Sequence, residues 1–518
     1  MEYGYTGTGI SIAIVDWGIF EGYEDLGTSQ YNSACSEDIP DPAPLCVAQN
    51  GHGTKMAGVI AAAADNAMGI AGVAFGATVG EIYLYAEPWP AVIESEMEDS
   101  LGLNNDCFDI KTFALLLNTD QTYYAIPRDM WLVAKVGART DRDWLGVKYV
   151  IAAGNYADDS NTMLDSRTDY DELVSSRFTM AVGSVRLIDG FEERHATSRR
   201  GASLFCVAPG YDMKMTDSDK VGDNPCEYIS AYSCLSGTSY SAPCVAGVVA
   251  LMLEANPNLA VRDVMEAIVR TSATIDPGSD WHTNQAGIDH SYEYGHGLID
   301  ALEAVSLVTS EDPYPAWTPL LGERKIIVPI ATGGVQVGPG EKAIIPVTPV
   351  ANMRLEHVEL AVNITTVGAP GIGPLEIEID RMWPLSGSED FGGRPKRTRS
   401  VFAVARTDPS LSYDDALFTS VRHWGETGTA TWKVRLRNTS TGQPALTATW
   451  NTAELRFYGT PKCIADWDMD GDSDTDDDDA YQNDHANGLP HADLNGDRVV
   501  DEDDPDLWEF VYYPAGCS

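Results

Sequence analysis

Apolar residues are spaced in two different ways along this chain, and the change falls near residue 320. Ile10-Ser-Ile-Ala-Ile-Val15, after Gly-Thr-Gly, and Val150-Ile-Ala-Ala-Gly-Asn155 are nearly unbroken apolar runs. They predict buried parallel strands with Asp16 and Asn155 at their carboxyl ends, where α/β sheets carry their chemistry. Two stretches of small and apolar residues, GTKMAGVIAAAA after His52 and SYSAPCVAGVVALMLEA from Ser239, predict helices. The proline-rich Asp312-Pro-Tyr-Pro-Ala-Trp-Thr-Pro then ends the helical patterns. Beyond it, Lys325–Ile330, Glu341–Val347, Leu355–Ile364, Pro374–Ile379 and Thr431–Arg437 alternate apolar with polar residues, as half-exposed antiparallel strands do. The expected fold is multidomain: an α/β domain with a parallel sheet over residues 1–312, a linker over 313–324, and an all-β sandwich over 325–460.

Composition changes this picture in three ways. The 518 residues allow three or four domains, and 44% hydrophobic residues suffice for large cores. A formal net charge of -44 argues against nucleic acid and anionic membranes as partners. No apolar stretch reaches the length of a membrane span, the longest being Val245 to Leu253. The nine cysteines are an odd number, so at least one stays free or pairs elsewhere. Cys35 with Cys46, Cys226 with Cys234 and Cys463 with Cys517 are read as loop clamps, and Cys244, inside an apolar helix, as the buried thiol.

The chemistry is carried by Asp16, His52 and Ser239, in that chain order. A hydroxyl becomes a useful nucleophile when an imidazole takes its proton, and a buried carboxylate must hold that imidazole in one tautomer. Ser239 opens a helix, so its Oγ and backbone N–H sit at a positive end. Asn155 supplies a side-chain amide that could donate to a developing oxyanion. Singly, each has a bland reading as a turn or a cap; the four in this order are hard to assign to chance.

These motifs, with SLGLN at 100–104, LEANPNLAVRDV at 253–264 and SYEYGHGLIDA at 291–301, resemble the subtilisin-like serine peptidases, in particular the kexin and furin branch. The resemblance implies Asp16 as orienter, His52 as base, Ser239 as nucleophile, and Asn155 with the Ser239 N–H as oxyanion hole. It also implies substrate contacts at Leu115, Leu116, Ala153, Gly154 and Asp171, with Asp171 favouring a basic P1 residue. Leu116 stands where relatives carry glycine, and Arg199 where an acid is expected. Asp25 and Asn66 match the ligands of a structural calcium ion. The alternating strands, with Ser420–Glu426 and Leu455–Thr460, resemble the P or Homo B domain of the same branch. Relatives carry a secretion signal and a prodomain ahead of the first catalytic strand, so the chain is expected to be truncated at its start and to be secreted or attached to a cell surface.

Between Cys463 and Ser518 stand eighteen Asp or Glu and one Arg. They are arranged around glycine in two loops: Asp468, Asp470, Asp472, Asp476, Asp479, and Asp493, Asn495, Asp497, Asp501, Asp504. Oxygens at positions 1, 3, 5, 9 and 12 suit a hard cation, and Ca2+ is the expected ion. The pair, over 463–518, resembles a small α-helical dockerin repeat of EF-hand type, although Ser473, Thr475 and Arg498 depart from its pattern. That resemblance brings in a cohesin-like or cell-surface partner. Two functions follow: a calcium-stabilised serine endopeptidase acting on protein or peptide substrates, or an inactive homologue serving as an adhesive extracellular protein.

Overall fold

The computed structural model describes residues 4–486, apart from 21–22, 28–30, 32–34, 39–50, 85–93, 115–116, 118–121, 143–144, 156–166, 189–190, 221–227, 310–323, 350, 369, 384–395, 442–445 and 462–474. The chain divides into two compact units. Unit 1 is Met1–Asp120, Tyr124–Trp281 and Ser291–Thr318; unit 2 is Gln121–Tyr123, His282–His290 and Pro319–Ser518.

Unit 1 is built on strands β1 (Ser11–Asp16), β2 (Glu37–Asp38), β3 (Thr78–Tyr83), β4 (Ile110–Phe113), β5 (Lys148–Ala152), β6 (Thr179–Ile188), β7 (Phe191–Arg194) and β8 (Cys206–Pro209). Their order is β2-β3-β1-β4-β5-β6-β7, with β8 also on β6, and every pairing but β6 with β7 is parallel. The central strands are buried along their whole length, which is why they read as continuous apolar runs. A hairpin of β9 (Met213–Lys220) and β10 (Tyr228–Leu235) stands apart from this sheet. Helices α1 (His52–Ala61), α2 (Glu94–Gly102), α3 (Arg128–Arg139), α4 (Thr238–Ala255), α5 (Val261–Thr271) and α6 (Ala301–Thr309) complete the unit. The 18-residue α4 is long and apolar enough to cross a membrane, yet it is buried as the central core helix.

Unit 2 holds the short pair β11 (His282–Thr283) and β12 (Asp289–His290), then β13 (Arg324–Ile330), β14 (Val335–Val337), β15 (Lys342–Val347), β16 (Met353–Val367), β17 (Leu375–Met382), β18 (Arg397–Ala403), β19 (Ser412–Ser420), β20 (Thr431–Asn438) and β21 (Thr447–Pro461). Two antiparallel sheets result, β13-β21-β16-β19 with β14 on β21, and β15-β20-β17-β18. Their inner faces meet through Trp432 against Phe457 and Phe402 against Phe418, at ring separations of 5.1 and 5.6 Å. Along β20 the burial alternates residue by residue, the signature of a sheet with one wet face. Helix α7 (Thr475–Ala486) follows and buries Tyr481 and Asp477.

The cysteine pairing expected for Cys35 is corrected. Cys35 is bonded to Cys107, 72 residues on, with Cα atoms 5.9 Å apart. Two parallel crossovers bring these positions together, and Asn104 Nδ2 donates to Cys35 O at 3.0 Å. Cys234 is an exposed free thiol, against its expected pairing with Cys226. Cys244 is free and buried as expected, and so is Cys206; burial pushes both thiols up to about 12, which keeps them protonated and inert. Cys46, Cys226, Cys463 and Cys517 lie outside the described residues.

Candidate active site

Asp16 ends β1, so its carboxylate emerges at the carboxyl edge of the sheet. Its Oδ1 accepts from Trp17 N at 2.8 Å, and its Oδ2 lies 2.8 Å from His52 Nδ1. Helix α1 begins at His52, immediately after Gly51 in a left-handed turn (φ 62°) that swings the imidazole back over β1. With Nδ1 facing a carboxylate, the ring keeps that proton and presents Nε2 for proton transfer. The His52 side chain is 19% exposed against 1% for Asp16, so one partner is a locked anchor and the other can meet a substrate. The Trp17 and Tyr240 rings flank the imidazole at 5.8 and 5.7 Å. Their signal in the sequence is adjacency, since each directly follows a candidate catalytic residue.

Ser239 is the second residue of α4, where the helix leaves backbone N–H groups unpaired and positive. Asn155 follows β5, and its Oδ1 accepts from Thr238 N at 3.0 Å and Thr238 Oγ1 at 3.3 Å. With the amide oxygen held in this way, the NH2 end is the one left to donate to a ligand. Thr238 Oγ1 also accepts from Gly154 N at 3.2 Å. Sequence reasoning passed over Thr238, yet it ties the loop after β5 to the start of the nucleophile helix. Gly154 has φ 102°, a conformation that side chains resist. The arrangement places an acid-anchored imidazole, a hydroxyl at a helix N-terminus and an amide donor on one edge of one sheet, the parts needed for acyl transfer.

The family model described as the subtilase family matches residues 7–297. The chain belongs to the subtilase family. It is 29% identical over 473 residues to furin of Homo sapiens, covering 88% of this chain and 54% of furin. It is 27% identical over 456 residues to proprotein convertase subtilisin/kexin type 7 of the same species, covering 84% and 54%. These relatives support the kexin and furin branch, and the chain spans about half of their length. The crystal structure of a serine protease of Aeromonas sobria superposes with a TM-score of 0.67 at 21% identity, covering 88% of this chain and 89% of that one.

The remaining expected site residues of this subtilase are distributed unevenly. Ala153 is fully buried and Gly154 O accepts from Arg199 N at 3.0 Å, while Asn155 bridges to Ser198, so the segment carrying Arg199 runs beside the loop after β5. Asp171 is buried and its Oδ1 accepts from Leu173 N at 3.0 Å and Val174 N at 3.1 Å, which gives that oxygen a structural task in a turn. Leu115 and Leu116 lie outside the described residues.

Asp25 and Asn66 are brought together: Asn66 Nδ2 lies 2.6 Å from Asp25 Oδ1, and Asp25 Oδ2 accepts from Ile70 N at 3.0 Å and Tyr232 OH at 3.2 Å. Among the described residues no group of three or more His, Cys, Asp or Glu is poised to hold a metal. Asp468, Asp470, Asp472, Asp493, Asn495, Asp497, Asp501 and Asp504 lie outside the described residues, whereas Asp476 and Asp479 fall in α7.

Proposed function

We propose that this chain is a serine endopeptidase in which Ser239 attacks the scissile carbonyl, His52 accepts and returns the proton, Asp16 orients His52, and Asn155 with the Ser239 N–H holds the oxyanion. The observation that carries the reading is the 2.8 Å contact of His52 Nδ1 with the buried Asp16, on the same sheet edge as the Thr238-anchored Asn155. The test is labelling of the full chain with a fluorophosphonate, mapped by mass spectrometry. Modification of Ser239 supports the reading. A folded chain that stays unlabelled favours the alternative, an inactive homologue with an adhesive extracellular role.

Basic side chains at P1 are assigned to Asp171, a buried acid that would pair with Arg or Lys in a desolvated slot. Peptides with Arg at P1 are then cleaved faster than those with Leu; equal rates remove Asp171 from the role. The 473-residue match to furin is longer than the 7–297 family match, which supports reading residues 325–460 as a P domain after a peptidase domain. Secretion or attachment to a cell surface follows from the same relatives.

Calcium is proposed at two places. The Asp25 carboxylate is fully buried and faces amide, backbone and hydroxyl donors, with no cationic partner among the described residues, an environment that a divalent cation completes. Asp25 and Asn66 would hold it, and its contribution there is stability. The acidic repeats of 463–518 are read as a dockerin-like second site, whose partner would be cohesin-like or on a cell surface. Asp476 and Asp479 lie at the start of α7, as the last ligands of such a loop should.

A further inference from the structure

We propose that Lys55 and Asp217 form a positioning pair for the catalytic base, fixing helix α1, which carries His52, against hairpin β9–β10 with its charge neutralised. The proposal rests on the reading of His52 as that base. Lys55 lies one helical turn beyond His52 and is the only charged residue between Gly53 and Ala61. An ammonium buried in a helix of small apolar residues is costly unless a counter-ion meets it. Asp217 does so from β9, with the Lys55 side chain 4% exposed and that of Asp217 17%.

The contact is in register over several residues. Thr216 Oγ1 donates to Thr54 O at 2.6 Å, and Thr54 Oγ1 accepts from Phe20 N at 2.9 Å. Any side chain at Gly58 would collide with Thr216, so the helix can approach the strand this closely only with glycine there. The first turn of α1, which carries the imidazole, is therefore clasped on the hairpin side by residues 216 and 217.

The charge of Asp217 also reaches the site. The Tyr240 hydroxyl is held well above its usual range by burial first, and then by Asp16 and Asp217, and its ring lies 5.7 Å from that of His52. Among the described residues, Asp16 on β1 and Tyr240 on α4 face His52, Asp217 on β9 meets Lys55, and Glu81 on β3 is held by Ile19 N and Tyr31 OH. Three of these are carboxylates. A carboxylate left unneutralised against this helix favours a cation nearby, and so opposes a general base. Lys55 offsets the charge of Asp217.

Two measurements on the full chain separate this proposal from the reading on which it rests. The first is the pH dependence of fluorophosphonate labelling; the second is an NMR titration of the His52 imidazole, which needs no turnover. Lys55→Met should raise the His52 titration by about half a pH unit or more, and Asp217→Asn should lower it by a similar amount. The double variant should return close to the parent, and Lys55→Arg should match the parent. If the singles lose thermal stability but leave the His52 titration in place, the pair only joins helix to hairpin and the proposal is overturned. If the parent shows no labelling while the titration shifts as expected, the pair stands and the base reading fails. Should Lys55→Met not fold, Asp217→Asn and the double variant still decide the matter.

Discussion

A serine, a histidine and a carboxylate are hydrogen-bonded in series in unit 2, and the same residue types are the candidates of unit 1; the contrast shows what a catalytic site needs beyond its residue types. In unit 2, His423 Nδ1 lies 2.9 Å from Glu426 Oε2, and His423 Nε2 lies 3.0 Å from Ser400 Oγ. Ser400 Oγ is in turn 2.6 Å from Ser420 Oγ. Glu426 Oε1 accepts from Thr398 Oγ1 at 2.7 Å and Gln285 N at 3.0 Å, and Arg381 stands 3.5 Å away. His423, Ser400, Ser420 and Glu426 are all buried, the first three fully so. With Ser400 fully buried, its hydroxyl has no access to a substrate carbonyl. In unit 1 the imidazole is partly open and Asn155 is exposed. The same residue types suit chemistry in one place and cohesion in the other, because His52 and Asn155 are accessible whereas His423 and Ser400 are fully buried.

Ser239→Ala breaks that comparison most sharply. It should abolish fluorophosphonate labelling and lower kcat by about 10^6-fold, a size known from subtilisin in the same family. Ser400→Ala should leave both unchanged, measured as initial rates per folded molecule. Loss of labelling in the Ser400 variant would mean that the buried constellation is the reactive one.

Asn155→Leu comes next. It should lower kcat by about 10^2- to 10^3-fold with little change in KM, since the donor acts on the oxyanion; the magnitude is that of the equivalent donor in subtilisin. A change in KM alone would reduce Asn155 to a substrate contact.

His423→Ala tests the cohesive half. It removes a buried ring packed 4.8 Å from Trp432 and leaves Glu426 and Ser400 short of a partner. A loss of about 3–5 kcal/mol in unfolding free energy is expected, with unchanged kcat per folded molecule. A loss below about 1 kcal/mol in denaturant melts would show that water can repair the network.

Much of the first site was legible because it depends on local patterns. A β-branched run predicts where Asp16 ends a strand, and small-residue helices predict where His52 and Ser239 begin theirs. The parallel sheet and the β-rich region that follows were legible for the same reason, from unbroken and alternating apolar spacing. What failed depended on contacts distant in sequence. Cys35 meets Cys107 through two crossovers, and the nearer Cys46 made a more obvious partner. Lys55 meets its counter-ion, Asp217 on β9, only across 162 residues of sequence. Strand β18, RTRSVFA, places arginines on its outer face beside Glu378 and Asp380, so charge pairing across strands obscures the alternation. The assignment of His282–His290 to unit 2 has no local signal at all: Asn284 Nδ2 donates to Trp424 O at 2.9 Å and Arg422 O at 3.1 Å, across about 140 residues.

The smallest expected effect concerns acid, and it sharpens the same contrast. Burial, and after it the charge of Arg422, pushes His282 down to about 4 from an ordinary 6.5, with Glu426 partly opposing. His423 is lowered as well, by burial first, although Glu426 pulls the other way. Each is more readily protonated in the unfolded chain than in the folded one, so proton uptake favours unfolding. Their contribution is complete above about pH 6.5 and declines as the pH falls toward 4, by up to about 3 kcal/mol for His282. Unit 2 should therefore lose thermal stability between pH 7 and pH 4.5, and His282→Gln should flatten that dependence. A His282→Gln profile as steep as the parent's would place the acid sensitivity elsewhere. Labelling of Ser239, followed over the same pH range, reads unit 1 separately from the melting of unit 2. Labelling lost reversibly at a pH where unit 2 still melts at its neutral temperature would show that the two regions answer to the proton independently.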